Sequence, residues 1–182
     1  MARPSGGFAV MADRATPADS GADFFPLHPW ATRALCVHVL PELQMSAPPW
    51  QRTVWEPAAG QGHMVRPLSE FFDRVIPSDI HDYGAGYPRH DFLSMPPLVK
   101  HPDWIITNPP FRLFLEFAEQ ALDMSSGGIA LFSRLSVLEG QRRYYRLFRT
   151  HPPTVVAPFV ERVPLAAGRL GTTTATAYAW LV

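Results

Sequence analysis

Four consecutive residues, Asn108, Pro109, Pro110 and Phe111, carry the most specific chemistry in the sequence. They follow DWIIT, a run of strand formers, and neither proline can donate the N–H that a strand ladder requires, so the strand stops at Thr107. In open α/β sheets the crevice at the carboxyl ends of the strands is where ligands are held. An exocyclic amine on an aromatic ring is a poor nucleophile because its lone pair is delocalised. Two acceptors, the Asn108 amide oxygen and the Pro109 carbonyl, can take its two N–H bonds and draw it toward tetrahedral geometry. The prolines hold both acceptors still, and Phe111 offers a face on which a planar base can stack, a contact of roughly 1–3 kcal/mol. The competing reading is a turn in which Asn108 caps the following helix and Phe111 anchors it to the core.

Two features upstream decide between these readings. In WEPAAGQGHM, residues 55–64, Gly60 and Gly62 let backbone approach a ligand closely, and the helix that follows offers unpaired N–H groups to an anion. One strand later stands Asp79, an acid able to hydrogen-bond vicinal ribose hydroxyls. A lone GxG or a lone strand-end acid carries little weight. The order glycine turn, acid, NPPF favours function over a plain turn.

The elements that must position these residues follow from periodicity. Residues 30–40, WATRALCVHVL, read as helix, and RTVWEP, 52–57, as the first strand. HMVRPLSEFF, 63–72, presents one helical face, DRVIPSDI is a short second strand, and residues 81–97 form a loop-rich crossover. FRLFLEFAEQALDM, 111–124, is the clearest helix, with Phe111, Phe114, Leu115, Ala118 and Leu122 on one stripe. IALFSRL is a fully apolar strand of the buried parallel type. EGQRRYYRLFRT, 139–150, reads as a basic helix with Arg142, Arg146 and Arg149 on one side and Tyr144, Tyr145 and Phe148 packing inward. The runs TVVAPFVERV and TTTATAYAWLV look like a terminal strand pair. Alternating strands and helices predict an α/β domain on a mostly parallel sheet.

The series EPAAGQG, SDI, DF and TNPPF resembles the motif order of class I S-adenosylmethionine-dependent methyltransferases, in particular small phage and prophage enzymes that methylate adenine N6 in DNA. The likeness spans residues 23–182, from FFPLHPWATRAL through LEGQRRYYRLF. It implies a Rossmann-like fold, a seven-stranded mostly parallel sheet with an antiparallel last strand and helices on both faces. It also implies S-adenosylmethionine as cofactor and S-adenosylhomocysteine as product. By the same resemblance Glu56, Pro57, Ala58, Gly60 and Gly62 would line the methionine end of the cofactor. Asp79 and Ile80 would hold the ribose, and Asp91 with Phe92 the adenine. Phe25, Pro26 and Trp30 would fold over the cofactor, and Asn108, Pro109, Pro110 and Phe111 would form the amine site. The chain departs from the pattern at Leu27-His28, where relatives often carry a threonine–proline pair that contacts the cofactor carboxylate. The target base would be flipped into the pocket, with Phe159 a candidate for its opposite wall.

The same turn serves methylation of guanine N2 or adenine N6 in RNA and of a glutamine amide in protein, since all present a conjugated NH2. A reading of another class is a non-catalytic nucleic-acid-binding or regulatory protein on the same fold.

With 182 residues, 47% of them hydrophobic, the chain suits one catalytic domain over 23–182, without a separate target recognition domain, behind a disordered tail over 1–22. Formal net charge is zero, so no polyanion partner is announced by the whole molecule. Yet residues 127–182 carry seven Arg against two Glu, a basic third that points weakly to nucleic acid. Arg142, Arg143, Arg146 and Arg149 are the candidate phosphate contacts, a solvated face being the equal alternative. The seven histidines show no paired metal spacing, and methyl transfer from a sulfonium needs no metal. Cys36, the one cysteine, reads as a small buried hydrophobe and suits a reducing compartment. Neither a membrane span nor a signal peptide is evident, so a soluble, cytoplasmic protein is expected.

Overall fold

A computed structural model describes residues 25–43, 52–165 and 176–182. The expected tail over 1–22 and the start of the last strand run, 172–175, lie outside the described residues. The described chain forms six strands: β1 (Thr53–Glu56), β2 (Arg74–Pro77), β3 (Trp104–Thr107), β4 (Gly128–Arg134), β5 (Val156–Pro158) and β6 (Tyr178–Leu181). They lie side by side in the order β2-β1-β3-β4-β6-β5. β1 pairs in parallel with β2 and β3, and β3 with β4. β6 runs antiparallel between β4 and β5, as the terminal strand pair requires.

Side chains alternate across the sheet and so define two buried layers. On one face Val54, Trp104, Ile106, Phe132 and Trp180 pack with Leu27, Ala31, Leu35 and Cys36. These last come from α1 (Pro29–Ala34) and the wider helical turn Leu35–Val39 that continues it. The Trp180 indole donates to the Ala31 carbonyl at 2.9 Å, tying that helix to β6. On the other face Trp55 and Ile105 pack with Phe117 and Ala121, and Leu131 and Leu181 with Phe114, Leu115 and Ala118. Those partners all lie on α3 (Phe114–Met124). All four residues of β3 are buried, as expected for a central strand covered on both faces.

Three expectations change. The sheet has six strands among the described residues, not seven. The crossover from β2 to β3 contributes only an isolated parallel bridge, Asp79 to Arg89. Its sequence explains this: Gly84 and Gly86 sit at φ +76° and +73°, and Pro88 follows, so no ladder can extend. The helix expected over 63–72 shrinks to α2 (Val65–Leu68), with turns on either side. The basic helix is α4 (Gln141–Arg143) continued by a wide turn over Tyr144–Phe148. There Leu147 is the buried residue, while Tyr144 and Tyr145 are exposed. The widened turn rotates the tyrosines away from the core side expected for a regular 3.6-residue period.

Candidate active site

The carboxyl ends of β1, β2 and β3 converge on one cavity. Prolines stand at each of these ends: Pro57 follows β1, Pro77 is the last residue of β2, and Pro109 and Pro110 follow Asn108 after β3. The chain beyond β1 bends at Gly60 and Gly62, with φ +52° and +84°. This left-handed backbone lets the Gly60 N–H donate to Asp79 Oδ2 at 2.9 Å. Asp79 Oδ1 accepts from the His81 N–H, also at 2.9 Å. The acid after β2 is thus held by the glycine turn after β1, and it lines the cavity together with Pro57, Ala58 and Ile80. Burial raises the Asp79 pKa; the bonds from His81 and Gly60 oppose that shift.

At the end of β3, Asn108 lines the cavity with Pro109, Pro110 and Phe111. Its Nδ2 donates to the Phe25 carbonyl at 2.8 Å. That bond orients the amide and leaves Oδ1 buried with no partner among the described residues. Phe25 and Pro26 line the cavity as well, so the segment before α1 forms part of its wall. The Phe25 ring stacks on Phe111 at 5.7 Å. Tyr178 lies 5.9 Å from Phe111, and the Arg134 guanidinium sits over its ring at 4.9 Å. Phe111 is therefore already inside an aromatic stack and is not the bare face that the sequence suggests.

Three other expected cofactor contacts do not reach the cavity wall. Glu56 points beneath it: fully buried, its Oε1 accepts from Thr107 Oγ1 at 2.6 Å and from the Ala58 N–H at 3.2 Å. Burial pushes its carboxyl up to about 8, against the lowering effect of those two bonds, and the Asp79 charge adds to the rise. Trp30 packs edge-on against Phe159 at 5.3 Å, and Phe159 also meets Phe132. Both belong to the apolar layer under α1, because β5 carries Phe159 back toward that helix. Gly62 turns toward Tyr87, whose hydroxyl lies 2.2 Å from where a Cβ would stand. At the departure Leu27-His28, Leu27 is buried core and His28 accepts from the Trp30 N–H as a helix cap.

Phe92 and Asp91 line the far end of the cavity. Phe92 packs on Phe117 and, edge-on, on Trp55. Both Asp91 oxygens are engaged locally, by the Leu93 N–H at 3.1 Å and Ser94 Oγ at 2.5 Å. His63, His81, Tyr83, His90 and Arg112 also line the cavity and were missed by the sequence reading. Adjacency to Asp91 was the one available signal for His90. The cavity holds about 170 Å³, below the roughly 300–1,000 Å³ of small-molecule sites.

The candidate phosphate contacts on the basic helix have partners within the chain. Arg142 bonds Glu116 at 3.0 Å, and Arg146 bonds Glu119 and lies 3.9 Å from Glu116. Arg143 donates to the Glu139 and Ser136 carbonyls, and Arg149 lies 5.7 Å from the Tyr145 ring centre. Glutamates of α3 thus face Arg142 and Arg146, which a single-helix view of the sequence does not reveal. Among the described residues no helix is long and apolar enough to cross a membrane, and no group of three His, Cys, Asp or Glu side chains is placed to hold a metal ion.

No family model matches the chain, and no curated protein matches it. Solved structures do. A type I restriction-modification methyltransferase subunit from Streptococcus thermophilus superposes with TM-score 0.62 at 13% identity, over 90% of this chain and 45% of its own. A protein described as a class I S-adenosylmethionine-dependent methyltransferase from Listeria monocytogenes gives 0.58 at 12% identity, over 84% of this chain and 58% of its own. The precorrin-6y C5,15-methyltransferase of Geobacter metallireducens gives 0.53 at 12% identity, over 84% and 85%. The fold is that of the class I methyltransferases. The chain spans about half the length of the first two proteins, and identities this low speak to fold alone.

Proposed function

We propose that the protein transfers a methyl group from S-adenosylmethionine to a conjugated exocyclic amine, with adenine N6 in DNA as the substrate. The observation that carries this reading is the Asn108 amide. Its N–H2 end is committed to the Phe25 carbonyl at 2.8 Å, so the buried, unpartnered Oδ1 is an acceptor waiting for a donor. An N–H of the substrate supplies that donor and removes a desolvation penalty of about 1–3 kcal/mol.

The remaining wall suits the cofactor. Asp79, fixed by Gly60 and His81, presents a carboxylate to ribose hydroxyls, and the apolar surface of Phe92 and Phe117 suits a planar base. When bound, the cofactor supplies an electrophilic methyl on a sulfonium, which leaves as a neutral thioether. Asn108 Oδ1 and the Pro109 carbonyl, held by two prolines, orient the amine nitrogen for in-line attack and localise its lone pair. The proton released from nitrogen after transfer passes to solvent or to a cavity group. Arg134 over Phe111 places positive charge beside the amine site, which favours a phosphate-bearing substrate.

Nucleoside mass spectrometry of unmethylated DNA incubated with the protein and S-adenosylmethionine tests this reading. N6-methyladenine is the expected product. Label in RNA or in a protein amide, with none in DNA, overturns the substrate. Asn108→Ala should slow transfer by on the order of a hundredfold while S-adenosylhomocysteine still binds, and a loss of only a few-fold would remove Asn108 from the amine site.

A further inference from the structure

We infer that the His90 ring is the polar contact that reads the heteroaromatic end of the bound cofactor, an inference that rests on the cofactor reading above. His90 lines the cavity, is 1% exposed, and has neither ring nitrogen bonded to any described group. An imidazole stripped of water without a partner is destabilising, and buried polar groups in native structures nearly always have one. A ligand in the cavity is the available source.

The backbone holds the ring in place. The His90 N–H donates to the Asp79 carbonyl at 2.7 Å, within the parallel bridge that is all the crossover contributes to the sheet. The ring rests 5.5 Å from that of Trp55, and Trp55 is itself fixed by Phe92 and by its indole bond to Ser78 Oγ. The same bridge carries Asp79, so the group assigned to the ribose and the group assigned to the base are positioned by one short stretch of pairing.

The chemistry of the site selects the partner. Burial lowers the His90 pKa, against the raising effect of the Asp91 charge, and the neutral ring carries one N–H donor and one acceptor. The two ring nitrogens diverge, so one of them faces the ligand, where it can accept from the amino group of an aminopurine or donate to one of its ring nitrogens. An anion would be held best by the charged imidazolium, which burial disfavours. Asp91, which the family resemblance would place on the adenine, already accepts through both oxygens from Leu93 and Ser94. The neighbouring histidine has both ring nitrogens unpaired.

Calorimetry with S-adenosylhomocysteine on the full chain, alongside nitrogen NMR of the histidine rings, tests the assignment. His90→Phe, which preserves an aromatic volume but not the polar atoms, should weaken binding at least tenfold, and His90→Gln should recover part of the loss. On the unmodified protein, adenosine alone should shift the His90 ring-nitrogen resonances and methionine alone should not. That arm decides the matter even where a variant fails to fold. Binding of His90→Phe within twofold of the parent, or His90 resonances unmoved by adenosine, overturns the His90 assignment and leaves the cofactor reading intact. A parent protein that binds no S-adenosylhomocysteine overturns both.

Discussion

Glu56 should make the folded state less stable as pH rises through the neutral range. Its side chain has no solvent exposure, and Oε2 has no partner. Burial raises its pKa from 4.5 to about 8. The folded state therefore holds a proton that the unfolded chain has released. With more protons bound in the native state, stability decreases with pH between those two values and levels off above the upper one. The slope approaches about 1.4 kcal/mol per pH unit, so moving from pH 6 to pH 8, where the folded group is half titrated, removes about 2 kcal/mol. Glu56→Gln keeps the shape and an acceptor for Thr107 Oγ1 and the Ala58 N–H but cannot ionise. Urea denaturation at pH 6 and 8 should show the parent losing about 2 kcal/mol more than the variant over this interval. Equal losses in the two proteins would mean that Glu56 is ionised in the fold and that the burial argument is wrong.

Other perturbations probe the positioning elements. Gly62→Ala places a Cβ on backbone at φ +84° and 2.2 Å from the Tyr87 hydroxyl. The ring end can swing away but the dihedral cannot, so a loss of about 1–3 kcal/mol should appear in thermal melts and persist when Tyr87→Phe is added. Arg146→Ala should change stability by less than about 1 kcal/mol, since its pair with Glu119 is exposed, and should leave the salt dependence of DNA binding unaltered. Arg134→Ala should instead reduce the magnitude of the log–log salt slope by about one, the effect of one phosphate contact. The reverse pattern in a fluorescence titration would restore α4 as the phosphate track.

What the sequence determined by itself was local. Prolines cannot donate to a ladder, so the stop at Thr107 and the turn beyond Glu56 were readable in one dimension. The 3.6-residue stripe of FRLFLEFAEQALDM placed α3, and the fully apolar IALFSRL placed β4 at the centre. The ordered series EPAAGQG, Asp79 and TNPPF brought Asp79, Ala58, Gly60 and Asn108 to one cavity, because in a parallel sheet all carboxyl ends lie on one side. Tertiary structure decided everything that depends on a partner distant in sequence. The direction of the Asn108 amide is set by a carbonyl 83 residues away. The burial of Glu56 beneath the cavity, and not in its wall, follows from its bond to Thr107 on β3. Arg142 and Arg146 pair with glutamates of α3, and Phe111 is enclosed by Phe25, Tyr178 and Arg134. His90 had no motif to announce it; only the bridge at Asp79 and the packing of Trp55 place an unpaired imidazole in the cavity. Periodicity and turn chemistry act over a few residues, whereas hydrogen-bond partners and dielectric environment exist only once the sheet has assembled.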